Sequence, residues 1–103
     1  EQEQPQPGAL ARFLAERGRN IPEAIGLAER AANERQDVHT MDALAWSYFR
    51  GGRVADAASA IQRATRLGTV DPRIRCHASA IALTQREGIA PSTATCDLLN
   101  PRG

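Results

Sequence analysis

The chain has 103 residues, 42% hydrophobic and 24% charged, the proportions of an ordinary folded domain rather than of a disordered segment. At this length about 60–65% of the unfolded surface is buried on folding, enough for one core and too little for two. Thirteen basic side chains, every one of them Arg, against twelve acidic leave a net charge of +1, which excludes a dedicated nucleic-acid binder that relies on a phosphate-neutralising excess.

Aromatic residues make up only 4% while alanine is abundant, so the core is assembled from small and aliphatic side chains, a composition that favours closely packed helices over a sheet. Hydrophobic spacing has helical period almost throughout. Residues 1–7 form a Pro- and Gln-rich leader that Pro5 and Pro7 keep extended. From Gly8 to Arg17 the residues Leu10, Phe13 and Leu14 share one helix face, and Gly18 supplies a stop. Pro22 opens a second helix whose stripe is Ala24, Ile25, Ala28, Ala31 and Ala32, fading near Arg35. Thr40 is the expected N-cap of a third, with Met41, Leu44, Ala45 and Tyr48 inward and Gly51-Gly52 at its end. Val54 to Leu67 makes a fourth, with Ala57, Ala58, Ile61, Ala64 and Leu67 inward and Gly68 closing it. Asp71-Pro72 caps and opens a fifth, in which Ile74, Ala78, Ile81 and Ala82 share a face and which Gly88 stops. A short sixth helix is expected over residues 92–99, before Asn100-Pro101.

No apolar run approaches the roughly 20 residues that a bilayer span requires, which predicts a soluble chain without membrane insertion. The first residue is Glu1 and not Met, as in a processed mature form or a piece of a longer protein. Cys76 and Cys96 allow either one disulfide or two buried thiols. A bridge would imply an exported or periplasmic location and two thiols a cytoplasmic one, so the compartment stays open. Cys76 lies off the Ile74, Ala78, Ile81 face, which is the geometric obstacle to a bond.

The glycine stops reveal a repeat. Gly18 and Gly52 stand 34 positions apart, while Ala24 to Ala57 and Ala31 to Ala64 each span 33. Within the best unit the order is Leu44-Ala45, Tyr48, Gly52, Ala57, Ala64 and Leu67, and this resembles the tetratricopeptide repeat. The first unit follows with Leu10-Ala11, Leu14, Gly18, Ala24 and Ala31, with Leu14 where the family has an aromatic. The third is the weakest, ending in Cys96, Leu99 and Asn100-Pro101. The resemblance implies an all-α fold, a right-handed superhelical stack of antiparallel helix pairs, with repeats over about 8–36, 38–70 and 72–101 inside one domain of residues 8–103. The turn within each pair needs a left-handed residue, and the crossing of its two helices admits only small side chains, the roles expected of Gly18, Gly52, Ala57 and Ala64. So few repeats leave an end to be covered by a partner, an oligomer or further sequence.

Nothing in the sequence points to catalysis. Cys76 and His77 are adjacent and diverge by about 100° around a helix, a poor chelating pair, and no metal or cofactor site is expected. Gly51-Gly52 lacks the Lys and Ser/Thr of a phosphate loop. The resemblance instead implies a protein-interaction module, of bacterial origin judging from its Arg/Ala bias, that takes a peptide or partner helix on its inner helices. The corresponding positions are Arg12 and Glu16 on the first helix and His39, Asp42, Trp46, Phe49 and Arg50 on the third. An exposed Trp46 beside Arg50 would anchor such a peptide, and the alternative is that Trp46 and Phe49 pack against neighbouring helices. The Lys and Asn that the family uses to clamp a peptide carboxylate are absent from these positions. Between residues 50 and 75, six arginines stand against Asp56 and Asp71, a local excess of +4 that suits an acidic partner. The competing class is a structural accessory subunit of a larger assembly.

Overall fold

The structure, a computed structural model, describes residues 7–88 together with Cys96. Among these residues there are five helices and no strand: α1 (Pro7–Arg17), α2 (Ile21–Glu34), α3 (Val38–Arg50), α4 (Val54–Arg66) and α5 (Pro72–Glu87). Four of them, α1, α2, α4 and α5, pack around α3. The expected sixth helix lies outside the described residues apart from Cys96, and α1 begins at Pro7, the last residue assigned to the leader.

Two turns are closed in the same way. After α1, Gly18 N–H donates to Ala15 O and Arg19 N–H to Leu14 O; after α3, Gly52 N–H donates to Phe49 O and Arg53 N–H to Tyr48 O. Each is the crossed pair of bonds that ends a helix on a left-handed residue, and φ is 65° at Gly18 and 84° at Gly52. A side chain at either position would strain the backbone, so the glycines fix where these helices stop.

The core is mostly alanine. Ala11, Ala15, Ala24, Ala28, Ala57 and Ala64 are fully buried, which brings neighbouring backbones close. On α1 this displaces the expected face: Ala11 and Ala15 point inward, Leu10 and Leu14 are half-buried, and Phe13 is 49% exposed with the Arg17 guanidinium 4.7 Å from its ring centre. Tight approach favours the smaller side chains of that helix.

Three further expectations are corrected. Asp37, not Thr40, caps α3, because its carboxylate accepts from Thr40 N–H at 2.8 Å and the helix starts at Val38. Leu67 is 53% exposed, since α4 ends at Arg66 and Leu67 belongs to the turn that follows. The buried face of α5 is Ile74, His77, Ile81 and Thr84, rotated from the predicted one, with Ala82 exposed. Asp71 does cap α5 as expected, accepting from Arg73 N–H.

Cys76 and Cys96 form a disulfide, with Cα atoms 5.6 Å apart. Cys96 is buried in the main core cluster and Cys76 packs against its edge, so Cys76 reaches the bond from beside the buried face of α5.

Candidate functional site

The residues predicted to line a partner groove divide into a buried set and an accessible one. Asp42, Trp46 and Phe49 are buried, Trp46 to 1% exposure, so the expectation of an exposed aromatic anchor is corrected: both aromatic residues pack inside the chain. The cause is α5. His77 stacks on Trp46 with ring centres 3.7 Å apart, and Phe49 stacks on the indole at 4.9 Å. The His77 Nδ1 hydrogen bonds to Asp42 Oδ1 at 2.8 Å, an ion-pair contact when the imidazole is charged. Asp42 is 1% and His77 2% exposed, so each removes from water a group that would be costly to bury alone.

The order of residues explains the arrangement. Asp42 and Trp46 are four apart on α3, and His77 falls between Ile74 and Ile81 on α5, so both helices present these groups from their apolar sides. A carboxylate orienting an imidazole is also half of a proton relay. Here both groups are shut away from water beside the indole, and their hydrogen bond links α5 to α3.

The accessible set is polar. Arg12 and His39 line one cleft of about 240 Å³ between the start of α1, the end of α2 and the start of α3. Its floor includes Gly8, Ala31 and Thr40, and Glu34, Arg35 and Asp37 stand at its rim. Glu16 is half-buried beside Arg12, its Oε2 4.0 Å from Arg12 Nε, a Coulombic contact too long for a hydrogen bond. Arg50 lies over the turn at Gly18, where a Cβ would stand 2.5 Å from its Nη2. At the rim, the bond from Thr40 N–H holds the Asp37 carboxyl below its ordinary value, helped by the Thr40 hydroxyl, Arg35 and His39 against a small cost of burial.

On the opposite flank Tyr48 ties α3 to α2 and to the start of α4. Its hydroxyl donates to Glu29 of α2 at 2.7 Å, and Arg53, itself paired with Asp56 at 2.9 Å, lies over its ring. Partial burial, and then the bond to Glu29, push the phenol up to about 12. Sequence reasoning missed both this link and the Asp42–His77 pair, because hydrophobic spacing carries no signal for polar groups that satisfy one another.

Among the described residues no group of three or more His, Cys, Asp or Glu side chains is placed to hold a metal ion, and no helix is long and apolar enough to cross a membrane. No protein-family model, no curated protein and no solved structure matches the chain.

Proposed function

We propose that the chain is a non-catalytic protein-interaction module built as a right-handed superhelical stack of tetratricopeptide-like helix pairs. The observation that carries this reading is the equivalence of the two glycine turns, 34 positions apart and closed by the same pair of backbone bonds. Buried alanines at 24 and 57, and at 31 and 64, repeat with nearly the same spacing. Such units serve as surfaces: each buries one face against its neighbour and leaves another for a partner.

Of the inner-helix positions, Arg12, Glu16, His39 and Arg50 are the ones a peptide can reach, with the cleft at Arg12 and His39 as its polar end. Asp42, Trp46 and Phe49 act one step back, by fixing α3 against α5. The disulfide suits an oxidising compartment.

Size-exclusion chromatography with light scattering on the isolated chain tests the reading. A folded monomer supports a self-sufficient module. Unfolding or aggregation favours a structural accessory subunit of a larger assembly, a reading that draws its support from Val70, 85% exposed at the α4–α5 turn.

A further inference from the structure

The α4–α5 corner brings exposed apolar side chains and unmatched positive charge to one place. Leu67 and Val70 stand 53% and 85% exposed within four residues of each other. Single exposed apolar residues are ordinary and carry no message. Here, however, Leu67 forms part of a cavity of about 240 Å³ with Arg63, Arg66 and Gln36, floored by the fully buried Met41. Val70 lines a second depression with Pro72, Arg75 and Ser79.

The charge around this corner is lopsided in a specific way. Of the six arginines between residues 50 and 75, Arg53 is neutralised by Asp56. The Asp71 carboxylate is committed to the backbone of Arg73 as the α5 cap. Among the described residues Arg63, Arg66, Arg73 and Arg75 form no ion pair. Among the described residues, four arginines that form no ion pair thus flank Leu67 and Val70 in sequence against the single carboxylate of Asp71, and Arg63, Arg66 and Arg75 line the two depressions themselves. Guanidinium groups with apolar stems are suited to this pairing, since the stem packs on a hydrophobic neighbour while the planar head takes a carboxylate in two-point fashion.

We infer that the α4–α5 corner docks an acidic segment of another protein, with an apolar side chain of that segment entering the cavity floored by Met41 and its carboxylates meeting Arg63, Arg66 and Arg75. This rests on the reading of the chain as an interaction module and adds a second face to it. The apolar anchor sets the register and the arginines select the charge. An uncharged or basic segment of the same shape leaves the guanidinium groups unmatched and is rejected. Attraction between exposed charges makes the complex sensitive to salt.

The test uses the full oxidised chain and fluorescein-labelled synthetic peptides followed by anisotropy. One peptide carries Leu at helical spacing among Glu residues, a second replaces each Glu by Lys, and a third replaces each Leu by Ala. Preferential binding of the Glu/Leu peptide, by about tenfold or more over the other two and weakening with salt, is the expected result. The Arg63→Glu/Arg66→Glu variant loses at least as much affinity, and Leu67→Ser loses it without losing the salt dependence. Both variants stay folded because the altered side chains are exposed; the Arg63→Glu/Arg66→Glu change lowers the circular dichroism melt slightly, since it places acids in the last turn of α4, and affinities are compared well below that melt.

Equal binding of the Glu/Leu and Glu/Ala peptides, or of single-stranded RNA and the Glu/Leu peptide, would reduce the corner to a nonspecific polyanion patch and overturn the inference. So would a folded monomer that ignores all three peptides, or one whose binding is untouched by the Arg63→Glu/Arg66→Glu change. Those outcomes leave the module reading standing, whereas an aggregated or unfolded chain in the chromatography removes that reading itself.

Discussion

Helices α3 and α4 have thirteen residues each and lie side by side, yet they are buried by different means. On α4 the inward residues are Ala57, Ala58, Ala60, Ile61 and Ala64, with Arg, Gln, Ser and Thr turned to water. Its burial follows from side-chain size and one apolar face. On α3 every residue from Thr40 to Ser47 is buried, Asp42 and Ser47 included. A helix enclosed on all sides along this run has no outer face for its polar groups, so Asp42 needs a partner from elsewhere, and it finds one 35 residues later in the chain. The burial of α4 can be understood from its own sequence, that of α3 only together with the helices around it, and the pairing of Asp42 only together with α5.

The largest effect that probes this difference is expected for Trp46→Ala. Removing an indole packed between His77 and Phe49 should cost about 3–5 kcal/mol, read by urea denaturation. A loss below about 1 kcal/mol would mean that the enclosed side of α3 contributes little. Next comes Asp42→Ala, which leaves the His77 ring nitrogen buried without its acceptor and should cost about 3 kcal/mol. Asp42→Asn keeps a carbonyl oxygen at that place and should recover part of the loss. Identical melts for the Ala and Asn variants would deny the hydrogen bond its assigned part.

On α4 the sensitivity is to volume. Ala57→Leu or Ala64→Leu should destabilise by about 1–3 kcal/mol through overpacking, and an unchanged melting temperature in both would show that the helices do not cross closely there. The smallest effect belongs to Tyr48, where α3 emerges to meet Glu29 and Arg53. Its phenol is raised to about 12 in the folded chain, so the associated stability is complete below the unfolded value near 10 and is lost as pH rises from there through 12. Since Tyr48 is the sole tyrosine, absorbance of the phenolate follows it alone, and a midpoint near 10 in the native chain would contradict the burial and the Glu29 bond.

Helix positions are legible in the sequence because glycine and proline act locally. Gly18, Gly52 and Gly88 end helices where φ turns positive, and Pro72 follows its Asp71 cap. The cap of α3 stands three residues before the predicted one, since Asp37 and Thr40 are both good caps and only the folded chain decides which one accepts. Faces are harder to read. The apolar area of Phe13 argues for an inward position, but close approach at Ala11 and Ala15 selects small residues instead. The inward position of His77 on α5 goes with its hydrogen bond to Asp42, a polar match between residues distant in sequence that no hydrophobic period encodes. Of the candidate site, the Arg12 and His39 positions share a cleft, while the aromatic anchor is core.

The stack of His77 on Trp46 gives the molecule its own optical gauge. Trp46 is the chain's single tryptophan, and an imidazole in van der Waals contact alters indole emission. Emission excited at the indole band therefore reports the surroundings of one buried side chain, the stack with His77 of α5 included, without any attached dye. Compared with circular dichroism, which sums over all the helices, it follows the opening of the core around α3, and an emission change that precedes the loss of helix signal in the wild type but not in a His77→Ala variant would mark α5 as the helix that leaves first.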